Sequence, residues 1–196
     1  MRIFGGSAKG RIITVPKGAT LRPSTDKTRL ALYNAISALV PDARFLDLFC
    51  GTGAVGLEAL SRGAAQVTFV DSQRRCIDGV REALRTLGFA EASWELLPMD
   101  YSRALQRLSG RAPFDLVFLD PPYDAALGKP ALQAVRASGL LARRPGTRVI
   151  LEHAGDQPSP SVDGLELYRH YEHGAAALSV YGLAGGEHAD RAEEPG

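Results

Sequence analysis

The sequence predicts an α/β fold: a mostly parallel, doubly wound sheet that ends in an antiparallel hairpin and begins with a small β-hairpin. Three observations predict it. From about Ala43, strand-length apolar runs alternate with helix-length amphipathic stretches. Phe114–Leu119 is nearly continuous hydrophobe, as a central parallel strand covered on both faces must be. Near the C-terminus, two apolar runs flank Glu172-His173-Gly174, a hairpin turn.

At the front, Arg2–Phe4 and Arg11–Val15 bracket Gly5-Gly6-Ser7-Ala8-Lys9-Gly10, a small hairpin rich in glycine and cations. Pro16–Pro23 reads as a linker. Asp26 suits the N-cap of a helix running to Val40, where Pro41 stops it. Strands are expected at Arg44–Phe49, Gln66–Val70, Ser93–Leu97, Phe114–Leu119 and Thr147–Leu151. Helices are expected at Ala54–Gly63, Gln73–Leu87, Tyr101–Ser109 and Lys129–Ser138. Leu165–Tyr171 and Ala175–Tyr181 form the closing hairpin. The organisation is thus a basic hairpin and linker over 1–25, a main domain over 26–182, and a disordered tail over 183–196.

Hydrophobic residues at 45% and charged residues at 23% match globular proteins, which excludes wholesale disorder. The apolar runs stop well short of the roughly 18 residues that a membrane span needs, so no membrane partner is expected. The first residues lack the apolar core of a signal peptide, and a cytoplasmic protein is expected. Cys50 and Cys76 read as reduced thiols, and four scattered histidines without Cys-x-x-Cys predict no metal site. A monomer is expected rather than an oligomer. The charge is uneven: residues 1–29 carry seven cationic side chains against Asp26 alone, while 187–196 are net acidic. Lys9, Arg11, Arg22, Lys27 and Arg29 in that basic end suit RNA phosphates. The competing readings are a solvated loop that keeps the protein soluble, and a structural role in which Arg22 or Arg29 pairs with a cofactor carboxylate or braces the following helix against the sheet.

Asp47-Leu48-Phe49-Cys50-Gly51-Thr52-Gly53-Ala54-Val55-Gly56 reads as a strand, a glycine turn and a helix. Such a turn brings backbone N–H groups and the positive helix end to a ligand. Gly51, Gly53 and Gly56 satisfy G-x-G-x-x-G, which leaves an NAD-dependent oxidoreductase open. Asp47 argues otherwise, because a carboxylate near the strand end needs a partner and the methionine amine of S-adenosylmethionine supplies one. Asp71, ending the second strand, is placed for the ribose hydroxyls or as a helix cap. Asp100 ends the third and could meet the adenine amine with Met99 lining the ring; a helix N-cap fits it nearly as well.

Asp120-Pro121-Pro122-Tyr123 closes the buried fourth strand. The Asp120 carboxylate and the Pro121 carbonyl can both face one planar –NH2 group, a poor nucleophile that needs orienting more than deprotonating. Tyr123 offers an aromatic face for a base.

With these motifs in this order the sequence resembles class I S-adenosylmethionine-dependent amino methyltransferases. More narrowly, Arg2–Arg11, Leu21–Arg29 and Asp47–Gly53, with the Leu21-Arg22-Pro23-Ser24-Thr25-Asp26 core, resemble the bacterial RsmD family, as far as about Tyr181. The resemblance implies a Rossmann-like class I methyltransferase sheet and methylation of a guanine N2 in 16S ribosomal RNA. Naked small-subunit RNA and the assembling 30S particle both stay open as partners. It further implies S-adenosylmethionine held by Asp47, Phe49, Gly51, Gly53, Asp71, Met99 and Asp100, with Asp120, Pro121 and Tyr123 at the acceptor. Methylation of adenine N6 or of a protein glutamine amide is the alternative. The family usually carries glutamate where this chain has Leu30, and the acidic tail after Gly182 has no counterpart in it.

Overall fold

The computed structural model describes residues 1–13, 26–122 and 126–185. Its elements run α1 (Asp26–Ile36), β1 (Arg44–Leu48), α2 (Ala54–Ser61), β2 (Gln66–Asp71), α3 (Arg74–Leu87), β3 (Trp94–Pro98), α4 (Tyr101–Leu108), β4 (Leu116–Leu119), α5 (Gly128–Ala137), β5 (Arg148–Ala154), β6 (Leu165–His173) and β7 (Ala176–Leu183). The strands form one seven-stranded sheet in the order β3-β2-β1-β4-β5-β7-β6. Strands β1 to β5 are mutually parallel, and β7 lies antiparallel between β5 and β6. Chain order reverses between β1 and β4, and in open α/β sheets ligands bind beyond the strand carboxyl ends at such a point.

Each face of the sheet carries its own core. Phe45, Phe69, Ile77, Val80, Leu116 and Phe118 pack on one side with α1, α2 and α3. Leu46, Leu48, Val70, Val117, Leu119 and Leu132 pack on the other with α4 and α5. Alternate residues of β1 and β4 thus serve opposite cores, which is why both strands read as continuous hydrophobe. Helix α2 is buried at all eight of its residues. It lies between the sheet and the N-terminal segment.

The described part of the expected N-terminal hairpin is paired: Arg2 bridges Ile12, and the Ile3 and Ile13 N–H groups donate across it to the Arg11 and Met1 carbonyls at 3.0 and 2.8 Å. The N–H groups of Phe4 and Gly5 donate to the carboxylate of Glu58 on α2, at 2.9 and 2.8 Å. Ser61 accepts from the Ala8 N–H at 2.9 Å and donates to the Gly5 carbonyl at 2.5 Å. Gly6 sits at φ 75°, and a Cβ there would fall 1.6 Å from the Ser61 carbonyl oxygen. Ile3, Ala8 and Ile13 join the first core, so residues 1–13 are packed into the main domain rather than set apart from it.

Smaller differences have local causes. Helix α1 ends at Ile36 and tightens into a 3₁₀ turn over Ser37–Leu39 before Pro41. Strand β7 runs on to Leu183, which pairs with Leu165, so residue 183 belongs to the sheet and not to the expected tail. The linker Pro16–Pro23 lies outside the described residues, as do 186–196.

Candidate active site

The parallel ladders fix where the strand-end acids stand. Asp47 on β1 pairs with Phe69, two residues before Asp71 on β2. Asp71 pairs with Pro98, two residues before Asp100. On the other side Leu119 pairs with Leu48, so Asp120 emerges just past β1. Asp100, Asp71, Asp47 and Asp120 therefore follow one another along one edge, across three inter-strand spacings of about 4.8 Å. The step from β1 to β2 to β3 makes that edge a slope rather than a flat row.

The glycine turn occupies the switch point. Phe49 takes φ 76° and Gly51 φ 53°. A bulky residue in the left-handed region is strained, and such strain concentrates at ligand sites. The Phe49 and Cys50 N–H groups both donate to the Val70 carbonyl, at 3.0 and 2.8 Å, which holds the turn against β2. Gly53 caps α2 at φ 73°, and a Cβ on it would meet Val80 at 2.6 Å. At Gly56 a Cβ would lie 2.3 Å from the Phe69 ring. These two glycines are demanded by helix–sheet packing, whereas Gly51 lies at the half-buried tip of the turn.

Asp47 is 1% exposed, and its Oδ2 accepts the Gly56 N–H at 2.9 Å. Burial raises its pKa from 3.8 to about 7, opposed by that hydrogen bond and reinforced by Asp71. A carboxyl so desolvated is ready to be relieved by a cationic amine. Asp71 accepts the Gly51 N–H on Oδ2 at 2.8 Å and the Gln73 N–H on Oδ1 at 2.7 Å. It ties the glycine turn to the start of α3, and each oxygen keeps a second lone pair. Asp100 caps α4, accepting the Arg103 N–H at 3.0 Å, with its side chain 45% exposed. The cap reading is thus the one realised, and the second carboxylate oxygen pairs with the Arg103 guanidinium at 3.4 Å.

Met99 is half-buried against the second core. Tyr101, which the sequence reading passed over, lies 5.2 Å from Phe49 between ring centroids. The pair makes an aromatic wall beyond β1 and β3, and its signal was an aromatic directly after a strand-end acid. Asp120 is half-buried, Pro121 is buried and Pro122 is exposed. Tyr123 and Arg22 lie outside the described residues.

Among the basic residues, Lys9, Arg11 and Lys27 are exposed. Arg11 donates to the Thr86 carbonyl at 2.9 Å, at the far end of α3 from the acid edge. Arg29 requires a correction. It is 1% exposed and donates to the Arg2 carbonyl at 2.7 Å and to Asp26 at 3.0 Å, with its guanidinium over the Phe4 ring. It braces α1 against the N-terminal segment and cannot reach a phosphate. Leu30 is 39% exposed on the same helix, so this departure from the family pattern disturbs no core. No group of three or more metal-ligating side chains occurs among the described residues.

A parallel sheet with β7 inserted antiparallel, and a glycine turn at its switch point, is the fold of the class I methyltransferases; dinucleotide-binding sheets continue parallel in the order 3-2-1-4-5-6. A family model described as Conserved hypothetical protein 95 matches residues 1–182. The chain belongs to that family, the RsmD family. Ribosomal RNA small subunit methyltransferase D of Escherichia coli (strain K12) is 33% identical over 183 residues, covering 92% of this chain and 89% of that one. The protein of the same name from Haemophilus influenzae is 28% identical, covering 92% and 93%. A solved structure of the Escherichia coli protein yhhF, a methyltransferase candidate, superposes with a TM-score of 0.81 at 32% identity, covering 92% of this chain and 96% of that one.

Proposed function

We propose that this protein transfers a methyl group from S-adenosylmethionine to the exocyclic N2 of a guanine in small-subunit ribosomal RNA. The observation that carries the reading is the row Asp100, Asp71, Asp47, Asp120 along one sheet edge, with the strained turn at Phe49–Gly53 in its middle. The names borne by the relatives supply the RNA class.

The residues fit the cofactor on their own chemistry. Buried Asp47, with its raised pKa, suits the region of an amino acid amine. Asp71 suits vicinal hydroxyls, and Asp100 with Met99 and the Phe49–Tyr101 wall suits an adenine. When bound, S-adenosylmethionine supplies an electrophilic methyl group on a sulfonium, a good leaving group. The protein's task is then placement. Asp120 and the Pro121 carbonyl accept the two N2 hydrogens and hold the nitrogen lone pair toward the methyl. Pro121 and Pro122 have no backbone N–H to donate, and they stiffen the turn that carries these acceptors. Tyr123 supplies a ring on which an extruded base stacks, worth about 1–3 kcal/mol.

Mass-spectrometric mapping of ribosomal RNA from cells with and without the protein tests the reading. Loss of one N2-methylguanine from the small-subunit RNA is expected. Loss of an N6-methyladenine, or an unchanged map, refutes it. Binding of labelled S-adenosylmethionine against NAD by the pure protein separates the methyltransferase from the oxidoreductase.

A further inference from the structure

We infer that the opposite edge of the sheet carries a second binding site, for a phosphate oxyanion, formed by Arg148, Thr147 and Arg143. At the amino end of β5 a cavity of about 430 Å³ is lined by Arg136, Arg143, Arg144, Arg148 and Thr147 and, among the described residues, by no acidic side chain. Six residue steps along β5, at roughly 3.3 Å each, separate Arg148 from Ala154 at the other edge by about 20 Å. The cavity is therefore no part of the methyl-transfer site.

Two of the arginines are already engaged. Arg144 pairs with Asp115 at 2.6 Å, and Arg136 donates Nε to the Gly164 carbonyl at 3.1 Å. Arg148 differs. It is 6% exposed, lies 4.5 Å over the Tyr168 ring and donates to the Thr147 carbonyl at 2.9 Å, yet among the described residues no carboxylate meets it. Buried cations are ordinarily paired, because the lost hydration must be replaced. Thr147 is 3% exposed, and its Oγ1 has no hydrogen-bond partner among the described residues. Arg143 is exposed and forms no ion pair among them.

A guanidinium fork held in place by an aromatic face, a second, exposed guanidinium and an unused hydroxyl together match a tetrahedral oxyanion, which accepts several donors at once. The cavity is large enough for a phosphate with a substituent. An RNA phosphodiester and a free phosphate share this chemistry. The RNA arm alone rests on the proposed function.

Calorimetric titration of the full chain with inorganic phosphate should show saturable binding. Arg143→Ala should weaken it at least tenfold while the thermal midpoint in phosphate-free buffer stays unchanged, since Arg143 is exposed and pairs with nothing among the described residues. Arg148→Lys keeps the charge, loses the fork and should also weaken binding. No saturable binding, or binding indifferent to Arg143→Ala, overturns the site. Binding seen only after E187Q, D190N, E193Q and E194Q overturns it too, because the chain's own acidic tail would then be the occupant. Filter binding of small-subunit RNA across a salt series identifies the source. A log–log slope flattened by about 0.7 in Arg143→Ala assigns the RNA backbone, and an unchanged slope with phosphate binding lost assigns free phosphate. If the wild type bound phosphate but methylated no RNA, the function reading alone would fail.

Discussion

At the residue scale Asp120 and its neighbour Asp47 differ in what their environments ask of them. Asp120 is half-buried after β4, and the proposed function gives it the acceptor side. Asp120→Ala should abolish methyl transfer and leave S-adenosylmethionine affinity within a few fold, because the proposed role of the carboxylate is to hold the acceptor amine and not the cofactor. Calorimetry showing cofactor binding lost along with activity would put Asp120 in a different role. Asp47 is a titration experiment in itself. Its folded-state pKa of about 7 exceeds the ordinary carboxyl value of 3.8, so the fold favours the protonated form. That contribution is fully present below pH 3.8 and is lost as pH rises to 7, amounting to about 4 kcal/mol at most. Asp47→Asn can still accept the Gly56 N–H and carries no charge to desolvate. Urea melts should show its stability relative to wild type improving between pH 5 and pH 8. A constant difference across that range would remove the burial argument, and weaker cofactor binding in the same variant is expected from the lost charge.

At the element scale α2 ties the N-terminal segment to the sheet. Glu58, fully buried, accepts the Phe4 and Gly5 N–H groups and pairs with Arg62 at 2.8 Å. Glu58→Ala leaves three donors without an acceptor, and about 3–5 kcal/mol of stability should go with it. Limited proteolysis should then cut near Gly5–Gly10 before the core unfolds; resistance equal to wild type would mean that Ile3, Ala8 and Ile13 suffice to hold the segment. On the other side of α2, Gly56→Ala drives a Cβ into the buried Phe69 ring. About 1–3 kcal/mol should be lost, read from the shift of the denaturation midpoint. The glycine pattern was legible as a motif in the sequence. That two of its three glycines answer to packing became visible only when Val80 and Phe69 were placed against them.

At the scale of the whole molecule, charge is distributed over the surface in a way the linear count misstates. Lys9 and Arg11 remain exposed, and their joint replacement by Ala should flatten the salt dependence of RNA binding by roughly one to one and a half log–log units. Arg29→Met should leave that slope unchanged and lower stability instead, since Arg29 holds Asp26 and the Arg2 carbonyl from inside the fold. A flattened slope in Arg29→Met would restore it to the RNA surface.

Strand and helix order, the edge on which Asp47, Asp71, Asp100 and Asp120 fall, and the place of Asp120-Pro121-Pro122 after β4 were legible from the linear chain. Hydrophobic period and turn chemistry are local, and parallel connection sends every strand's carboxyl end the same way. Only the tertiary structure decided which acids are desolvated and which serve as caps, that Arg29 points inward, and that Arg136, Arg143, Arg144 and Arg148 gather around one cavity. Those outcomes depend on what is packed beside a residue by a chain segment distant in sequence. Glu58 is 53 residues from the Gly5 N–H it accepts, and Asp115 is 29 residues from Arg144. No period or motif carries that information, because burial and pairing are set by neighbours that only the folded sheet brings together.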